Sequence, residues 1–404
     1  MTCIMTRKKH PLLLFLAIFT IGCTSNRQAS DGVPFIDVRR NHPVKEMVLT
    51  DIADVTFVHF CTKNDDFLFR GGINFATENT FVVADWATNS VLFFSRDGTP
   101  ISRFNRWGQG PEEYFQPDFP NIIYVEATDE VFIPVGSTNR IQVYSSTGEH
   151  KRQLVLPYRI MLASIIASFD DQSLLIWNNQ LFDRLQRKAA EDHSAFSPGL
   201  DSAFVLISKI DGSLLGYVEI PRPTVDLSIR GVGSIMGMSV RRIVKHSDGF
   251  LLSNPENDTI YLFCRDKLLT PVLRKIPLMS DGNRRVLGNM IERGRYQFMR
   301  VSDRITTVQR LDLREEYLVR NTETGEVLRQ RLILPYFQGR EFFIHAMGSG
   351  GASRFLENEF FFTLDLGELK DAYRANRLSG ELKELVATLN EDKDNDVVML
   401  LRFR

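Results

Sequence analysis

Cysteine is scarce in this sequence and is not arranged to bind a metal. Only four cysteines occur in 404 residues, and two of them, Cys3 and Cys23, lie in an N-terminal segment with the features of a targeting sequence. The other two, Cys61 and Cys264, lie in apolar runs with neither CxxC nor zinc-ligand spacing. We therefore expect two buried thiols, with a disulfide between them in an oxidising compartment as the alternative.

Local signatures of catalysis are also missing. There is no GxSxG elbow, no catalytic-cysteine pattern, no HExxH or HxH and no phosphate loop ending in GK[ST]. The acidic cluster at 391–396 lacks the glycine and spacing of an EF-hand loop, so a solvated turn is expected there. We predict no catalytic residue, no metal and no cofactor. Residues from separate strands could still converge, and His59 and His345 are the histidines to inspect.

The chain has no excess of either charge. It carries 49 basic and 50 acidic residues, a formal net charge of −1, and no basic stripe that would favour nucleic acid as a partner. Hydrophobic residues make up 43% and charged residues 25%, as in a soluble globular body. Phenylalanine is frequent, at 30 residues, and much of it stands beside Val, Ile, Leu and Tyr, which favours β-strands.

The N-terminus resembles a bacterial lipoprotein signal. A basic start is followed by an apolar stretch, Leu12 to Ile21, that is too short to span a bilayer as a helix. Gly22-Cys23 then resembles a lipobox, which implies cleavage before Cys23 and lipid attached to it; an ordinary secretory signal is the alternative. The predicted domains are a signal peptide at 1–22, a lipid-anchored tether at 23–42 that ends in a first strand, and a folded body at 43–404.

A unit of about 50 to 60 residues recurs along the folded body. Its clearest copy is Asn79 to Phe104, with three apolar runs and a turn at Arg96-Asp97-Gly98; Gly148 occupies the corresponding position 50 residues later. The strands of the further copies are predicted at Glu130–Val135, Asn139–Tyr144 and Lys151–Leu156; Ser173–Trp177, Ala203–Ile207 and Leu214–Ile220; Gly249–Leu252, Asn257–Phe263 and Pro271–Ile276; Arg304–Arg310, Glu316–Arg320 and Val327–Leu334; and Glu359–Leu364 and Asp396–Phe403.

Six such copies predict an all-β, six-bladed β-propeller with small helical inserts. Seven blades are the main alternative. Apolar residues at helical spacing place one insert at Glu368 to Leu389, and a second is predicted at Met279 to Met299. The segment 44–60 is predicted to form two strands, and N-terminal strands commonly complete the blade made by the C-terminus of a propeller.

Three segments resemble the six-bladed β-propeller lipoproteins of Bacteroidetes, a group related to NHL-type propellers. The coil RWGQGPEEY matches the signature of that family at Gly108, Gly110, Pro111, Glu113 and Tyr114. The runs NDTIYLF (257–263) and DNDVVMLLRF (394–403) are similar to a middle-blade strand and to the C-terminal strand of that family. The resemblance implies the fold and an envelope location but little about function.

The glycine-rich coil could hold a ligand by close backbone approach, but its expected role is an inter-blade crossover. The expected crossover has glycines at positive φ and Tyr114 packed on the neighbouring blade. Aromatic and arginine side chains in connections are the better candidates for a ligand site, and blade-edge packing is their alternative role. These candidates are Trp86, Trp107, Tyr158, Trp177, Arg241 and Arg242, with Arg295 and Tyr296 also beside a connection.

The sequence thus predicts a lipid-anchored envelope propeller that binds a ligand or protein partner without catalysis. The partners expected are the membrane, through the lipid, and an envelope protein, glycan or peptide. A metal-dependent hydrolase or lyase acting at the central channel is the alternative. In lipoproteins of the family that the chain resembles, surface export is associated with acidic residues just after the lipidated cysteine. No acidic residue directly follows Cys23, so an outer-membrane anchor facing the periplasm is favoured, and surface exposure stays open.

Overall fold

In a computed structural model, the chain is described over residues 32–63, 65–115, 117–136, 138–157, 166–177, 202–221, 242–253, 257–278, 285–303, 315–345 and 358–404. These residues form six β-sheets, which we call blades 1 to 6. The N-terminal part of the chain supplies one outer strand to each of blades 4, 5 and 6. Its elements are β1 (Phe35–Asp37), β2 (Val44–Val48), the short helix α1 (Leu49–Ile52) and β3 (Ala53–His59).

Blades 1 to 3 are four-stranded antiparallel meanders, in which each strand pairs with the next one along the chain. Blade 1 is β4 (Ile73–Ala76), β5 (Thr80–Asp85), β6 (Ser90–Ser95) and β7 (Pro100–Phe104). Blade 2 is β8 (Ile123–Val125), β9 (Glu130–Val135), β10 (Arg140–Tyr144) and β11 (His150–Val155). Blade 3 is β12 (Ile166–Ser168), β13 (Ser173–Trp177), β14 (Ser202–Ser208) and β15 (Leu214–Pro221).

Blades 4 and 5 each gain a parallel strand from the N-terminus. Blade 4 is β16 (Ile243–His246), β17 (Gly249–Leu252), β18 (Thr259–Cys264) and β19 (Leu269–Ile276), and β1 pairs with β19. Blade 5 is β20 (Arg285–Arg293), β21 (Tyr296–Asp303), β22 (Glu315–Asn321) and β23 (Val327–Ile333), and β2 pairs with β23. The two-residue β24 (Glu341–Phe342) also pairs with β23.

Blade 6 joins the two ends of the chain. It contains β25 (Glu359–Leu364), β26 (Val397–Phe403) and β3, which pairs along β26 with Val397 opposite His59 and Phe403 opposite Ala53. The N-terminal strand therefore completes the C-terminal blade, as expected from the sequence. Six sheets agree with the predicted six-bladed β-propeller.

The blades pack face to face through their apolar side chains. Middle strands such as β5 and β6 are buried on both faces, which explains their nearly continuous apolar sequences, TFVVAD and SVLFFS. Separate apolar clusters lie between blades 1 and 2, between blades 2 and 3 and between blades 3 and 4. A larger cluster includes the closing blades and the two helices of blade 6.

The helical insert predicted at Glu368–Leu389 is present between β25 and β26 as α2 (Leu366–Arg374) and α3 (Gly380–Thr388). Asp365 begins α2 by accepting a hydrogen bond from the Glu368 N–H at 2.7 Å. Leu369, Leu382 and Val386 bury one face of the pair. No helix in the described ranges is long and apolar enough to cross a membrane.

The helix predicted at Met279–Met299 is wrong over 285–299, where β20 and β21 form a hairpin, and 279–284 lie outside the described residues. The register shifts by a β-bulge between Leu287 and Met290, so the buried residues Leu287, Met290 and Ile291 have the spacing of a helical face. The strand predicted at Arg304–Arg310 lies outside the described residues. The innermost strands β4, β8, β12 and β16 were missed, since runs of three or four residues have too few positions to show a period.

Candidate functional site

The two faces of the disc differ in the length of their connections. Turns between the first and second strands of a described blade, and between its third and fourth strands, contain two to five residues. We call the face of these turns the lower face. Connections from second to third strand, and from one blade to the next, leave from the opposite ends of the strands, the upper face. They include the coil 105–122 and the helical insert 365–396. Because long connections carry binding residues in most scaffolds, the upper face is the candidate functional site.

The Trp86 side chain is 53% exposed and lies on a turn that hydrogen bonds hold in place. The buried Asp85 carboxylate accepts hydrogen bonds from the backbone N–H groups of Arg70 (3.0 Å) and Ala87 (3.1 Å) and from the Thr88 hydroxyl (2.5 Å). The Trp86 N–H donates to the Arg70 carbonyl at 3.1 Å. The indole is therefore presented to solvent by a rigid backbone, which lowers the entropy cost of binding a ligand.

Trp107 is exposed to the same degree, 52%, on the neighbouring coil. Its backbone N–H donates to Asn105 Oδ1 at 2.8 Å, and Asn105 Nδ2 donates to the Thr88 carbonyl at 2.6 Å. This second bond ties the coil of Trp107 to the turn of Trp86. Phe115, 40% exposed, packs at 6.2 Å from the Trp107 ring. We call Trp86, Trp107 and Phe115 the aromatic platform.

The coil GQGPEEY (108–114) follows Trp107 directly and has a structural role. Tyr114 is fully buried; its hydroxyl donates to the Asn89 carbonyl at 2.7 Å, and burial raises the pKa of Tyr114 to about 12. Gln142 Nε2 in blade 2 donates to the carbonyls of Pro111 and Glu113. The Tyr144 hydroxyl, also in blade 2, donates to the Glu112 carbonyl at 2.8 Å. The coil therefore fastens blade 1 to blade 2, in agreement with its expected crossover role.

The coil was expected to need glycine for a positive φ, but the structure gives a different reason. Gly108 and Gly110 are not among the glycines with positive φ. The Glu113 carboxylate instead folds back over them and accepts a hydrogen bond from the Gly110 N–H at 2.8 Å. A Cβ on Gly108 would lie 1.9 Å from Glu113 Oε2. Space for the carboxylate, and not backbone conformation, requires glycine at this position.

None of the other predicted aromatic and arginine residues is placed on the exposed upper face by the described part of the structure. Trp177 and Arg242 come together, with the guanidinium carbon 3.9 Å from the centre of the indole ring, but both are buried, so they pack blade 3 against blade 4. Tyr158 and Arg241 lie outside the described residues. Arg295 and Tyr296 lie in and next to the turn between β20 and β21, on the lower face, with the Arg295 guanidinium 5.5 Å from the Tyr296 ring centre.

A polar cluster at the seam of blades 5 and 6 was only partly anticipated, through His345. Glu315 pairs with Arg300 and accepts a hydrogen bond from the Tyr317 hydroxyl at 3.0 Å; the Tyr317 ring lies 5.0 Å from the His345 ring. Burial, together with the Arg300 charge, lowers the pKa of His345 to about 4, although Glu315 opposes this effect. The imidazole is therefore neutral at physiological pH. Sequence reasoning missed the partners of His345: Arg300, Glu315 and Tyr317 lie 28 to 45 residues before it and carry no local signal.

The remaining candidates are structural or lie outside the described residues. His59 Nε2 lies 3.3 Å from Asp394 Oδ1, and the buried Asn395 amide donates to the carbonyls of Phe60 and Phe67, so part of the acidic segment 391–396 holds a connection in place. The prediction of buried thiols is wrong for Cys61, which is exposed: Phe60, directly after β3, takes the buried position. Cys264 is half-buried, and both thiols are free. Cys23 lies outside the described residues.

Across the ranges that the structure covers, no group of three or more His, Cys, Asp or Glu side chains could hold a metal ion.

Comparison with known proteins supports the fold. A family model described as a 6-bladed beta-propeller matches residues 24–196, fewer than half of the chain. The chain has a six-bladed β-propeller fold. A protein of Bacteroides fragilis classed as a candidate exported protein has a similar crystal structure, with a TM-score of 0.61 at 14% identity, over 90% of this chain and 98% of that one. No curated protein matches the sequence.

Two further structures are more distant. A member of the DUF4221 family from Bacteroides vulgatus gives a TM-score of 0.46 at 8% identity, covering 87% of this chain and 97% of that one. A streptogramin B lyase gives 0.37 at 10% identity, covering 87% and 99%. At these identities the likeness concerns the fold alone, and function must be argued from this chain's own side chains.

Proposed function

We propose that this protein is a lipid-anchored cell-envelope propeller that binds a ligand or protein partner on its upper face, at the aromatic platform. The observation that carries the proposal is the pair of half-exposed indoles, Trp86 and Trp107, on backbone fixed by the buried Asp85 and by Asn105. Large aromatic side chains on a rigid frame supply much contact area at little entropy cost and dominate binding energies.

The remainder of the upper face is consistent with a role in binding. Lower-face turns are short, whereas upper-face connections reach the length of a helical hairpin, as between Leu364 and Val397. A propeller uses its blades as a rigid support, so variation in the upper connections changes what the face contacts without changing the fold. The proposed ligands are those that stack on aromatic rings, namely glycans and peptides with exposed apolar faces.

The anchoring part of the proposal rests on Gly22-Cys23 at the end of an apolar stretch and on the polar segment that follows it. Lipid attached to Cys23 would hold the folded body at the membrane. The membrane proposed from the sequence is the outer membrane. A Cys23→Ala variant tests this part directly. We expect the unchanged protein to begin at Cys23 and to carry the mass of the added lipid, and the variant to lack that mass; an unmodified Cys23 in the unchanged protein would contradict lipidation.

Binding is tested by tryptophan fluorescence in a Trp177→Phe background, in which all indole emission comes from Trp86 and Trp107. The probes are soluble oligosaccharides and short peptides containing aromatic residues. We expect at least one probe class to shift the emission, and Trp86→Ala or Trp107→Ala to raise its Kd by at least tenfold, in the range of interface hot spots.

The matched control for these variants is Leu268→Ala, because Leu268 is a large apolar side chain, 63% exposed, on a lower-face turn. This variant should keep the Kd of the unchanged protein. If Leu268→Ala weakens binding as much as the tryptophan variants do, or if no probe changes the emission, the upper-face platform is not the binding site.

A further inference from the structure

An exposed arginine, Arg70, lies beside Trp86 of the aromatic platform. The Trp86 N–H donates to the Arg70 carbonyl at 3.1 Å. This bond continues the antiparallel register of β4 and β5, in which Ile73 is opposite Val83, and it places Arg70 opposite Trp86. Residues opposite each other in such a ladder are close enough for their side chains to act on the same ligand.

The indole ring of Trp86 also lies against the backbone next to Arg70. A Cβ added to Gly71 would stand 3.9 Å from Trp86 Cδ1 and 2.4 Å from the Ala84 carbonyl oxygen, so glycine is required where the two segments meet. Arg70 directly precedes this glycine. Its long side chain can therefore bring the guanidinium to the edge of a ligand that stacks on the indole.

The Arg70 guanidinium is not neutralised by the protein. Among the residues that the structure describes, no carboxylate pairs with it. Asp66, an exposed acid four residues earlier, lies 3.6 Å from Arg103 instead. The Asp85 carboxylate is buried and accepts hydrogen bonds from the turn that it holds, among them the Arg70 N–H. An exposed guanidinium on a fixed backbone is suited to bind an anion through two hydrogen bonds.

The main-chain donors around the platform are already used within the protein. The N–H groups of Trp86 and Trp107 donate to internal acceptors, and so do those of Ala87 and Gly108. An extended peptide that binds by strand addition needs such main-chain groups to be free. Recognition at this site is therefore left to side chains, namely the ring faces and the guanidinium.

We propose that the aromatic platform binds an acidic oligosaccharide, with a sugar ring stacked on Trp86 and the carboxylate of that sugar held by Arg70. This inference rests on the proposed function and names the class of ligand for the same site. The C–H face of a sugar ring covers an indole, and the planar guanidinium matches a carboxylate in a bidentate pair. Trp107, on the adjoining coil, offers a second ring for a neighbouring sugar of the same chain.

The test compares a short oligogalacturonate with its methyl ester, because the two have the same sugar rings and differ in charge. Binding is followed by tryptophan fluorescence in the Trp177→Phe background. We expect the acid to bind at least tenfold more tightly than the ester. Added salt should weaken binding of the acid and leave binding of the ester unchanged.

Substitutions of Arg70 test its part in this difference. Arg70→Gln should raise the Kd of the acid at least tenfold and change that of the ester by less than about twofold. Arg70→Lys keeps the charge without the planar fork, so its Kd for the acid should lie between those of the unchanged protein and Arg70→Gln. Arg295→Gln is the matched control, because Arg295 is an exposed arginine on a lower-face turn, and it should keep both Kd values.

The outcomes separate this inference from the proposed function. Equal Kd values for acid and ester, or an Arg70→Gln variant that still prefers the acid, would overturn the inference. The platform would stand in that case if Trp86→Ala weakens binding of both forms. Failure of both oligosaccharides to bind would also overturn it. So would a dependence on Arg70 that appears only with a peptide bearing a free C-terminal carboxylate, measured against the peptide amide.

Discussion

Glu359 receives two arginines from different blades: Arg96 Nη2 of blade 1 lies 2.5 Å from its Oε2, and Arg402 Nη2 of blade 6 lies 2.8 Å from its Oε1. The Glu359 side chain is only 2% exposed. Arg293 Nε, from blade 5, donates to the Glu359 carbonyl at 2.9 Å. One residue therefore connects three blades at the point where the ring closes, beside the β3–β26 pairing that joins the chain ends.

Replacing this carboxylate should weaken the ring at its closure. Glu359→Gln leaves Arg96, 18% exposed, with an uncompensated charge against a buried neighbour. Loss of one partner of a buried ion pair costs about 3 kcal/mol of unfolding free energy. Urea unfolding measures the change. Glu46→Gln, which removes a half-exposed partner of Arg331, is the control and should be neutral within error; equal losses for both would show that Glu359 has no special role.

The GQGPEEY coil allows a test of why its first glycine is needed. Gly108→Ala puts a Cβ against Glu113 Oε2, so the carboxylate must move and its hydrogen bond to the Gly110 N–H is lost. Because the obstructing atom is the end of a flexible side chain, we expect a cost of about 1 kcal/mol. In a Glu113→Ala background the same substitution should cost much less. A thermal-unfolding double-mutant cycle that gives additive effects would contradict this account.

Much of the fold could be predicted from the sequence because middle strands of a propeller are long and apolar on both faces. The predicted strands Glu130–Val135, Ser173–Trp177 and Glu359–Leu364 coincide with β9, β13 and β25. The same reasoning was wrong at β20, because its β-bulge changes the period-two spacing of buried residues in a strand into the spacing of a helical face. The strands added by β1 and β2 to blades 4 and 5 join partners more than 200 residues away, and no local pattern encodes such a partner.

The candidate site was predictable only in part. Trp86 and Trp107 were identified as aromatic residues in connections, and the structure places both half-exposed on one face. The same reasoning selected Trp177 and Arg242, which are buried against each other, because a sequence does not show which connection a neighbouring blade covers. Asp85 and Asn105, which fix the platform, stand at a strand end and in a loop, where Asp and Asn are ordinary residues.

Asp85 should therefore affect both stability and the mobility of the platform. Asp85→Ala removes three hydrogen bonds to a carboxylate and leaves the N–H groups of Arg70 and Ala87 without this acceptor. We expect a loss of about 2 kcal/mol in unfolding free energy. Fluorescence anisotropy decay of Trp86, in a variant with the other two tryptophans replaced by Phe, should show faster local motion. Unchanged decay would mean that the turn is held by other contacts.

The last prediction concerns acid sensitivity at the seam of blades 5 and 6. The pKa of His345 falls from its ordinary value of 6.5 to about 4 in the folded protein, because of burial and the Arg300 charge. Between these two values the unfolded chain binds a proton that the folded chain does not, so stability decreases as the pH falls from 6.5 towards 4. The full effect is about 3 kcal/mol of unfolding free energy.

Urea unfolding at several pH values between 7 and 4 measures this slope. His345→Gln cannot titrate, so its stability should decline less over the same interval, by up to about 3 kcal/mol. If His345→Gln keeps the slope of the unchanged protein, the acid sensitivity arises elsewhere, and the buried imidazole of His345 is not its source.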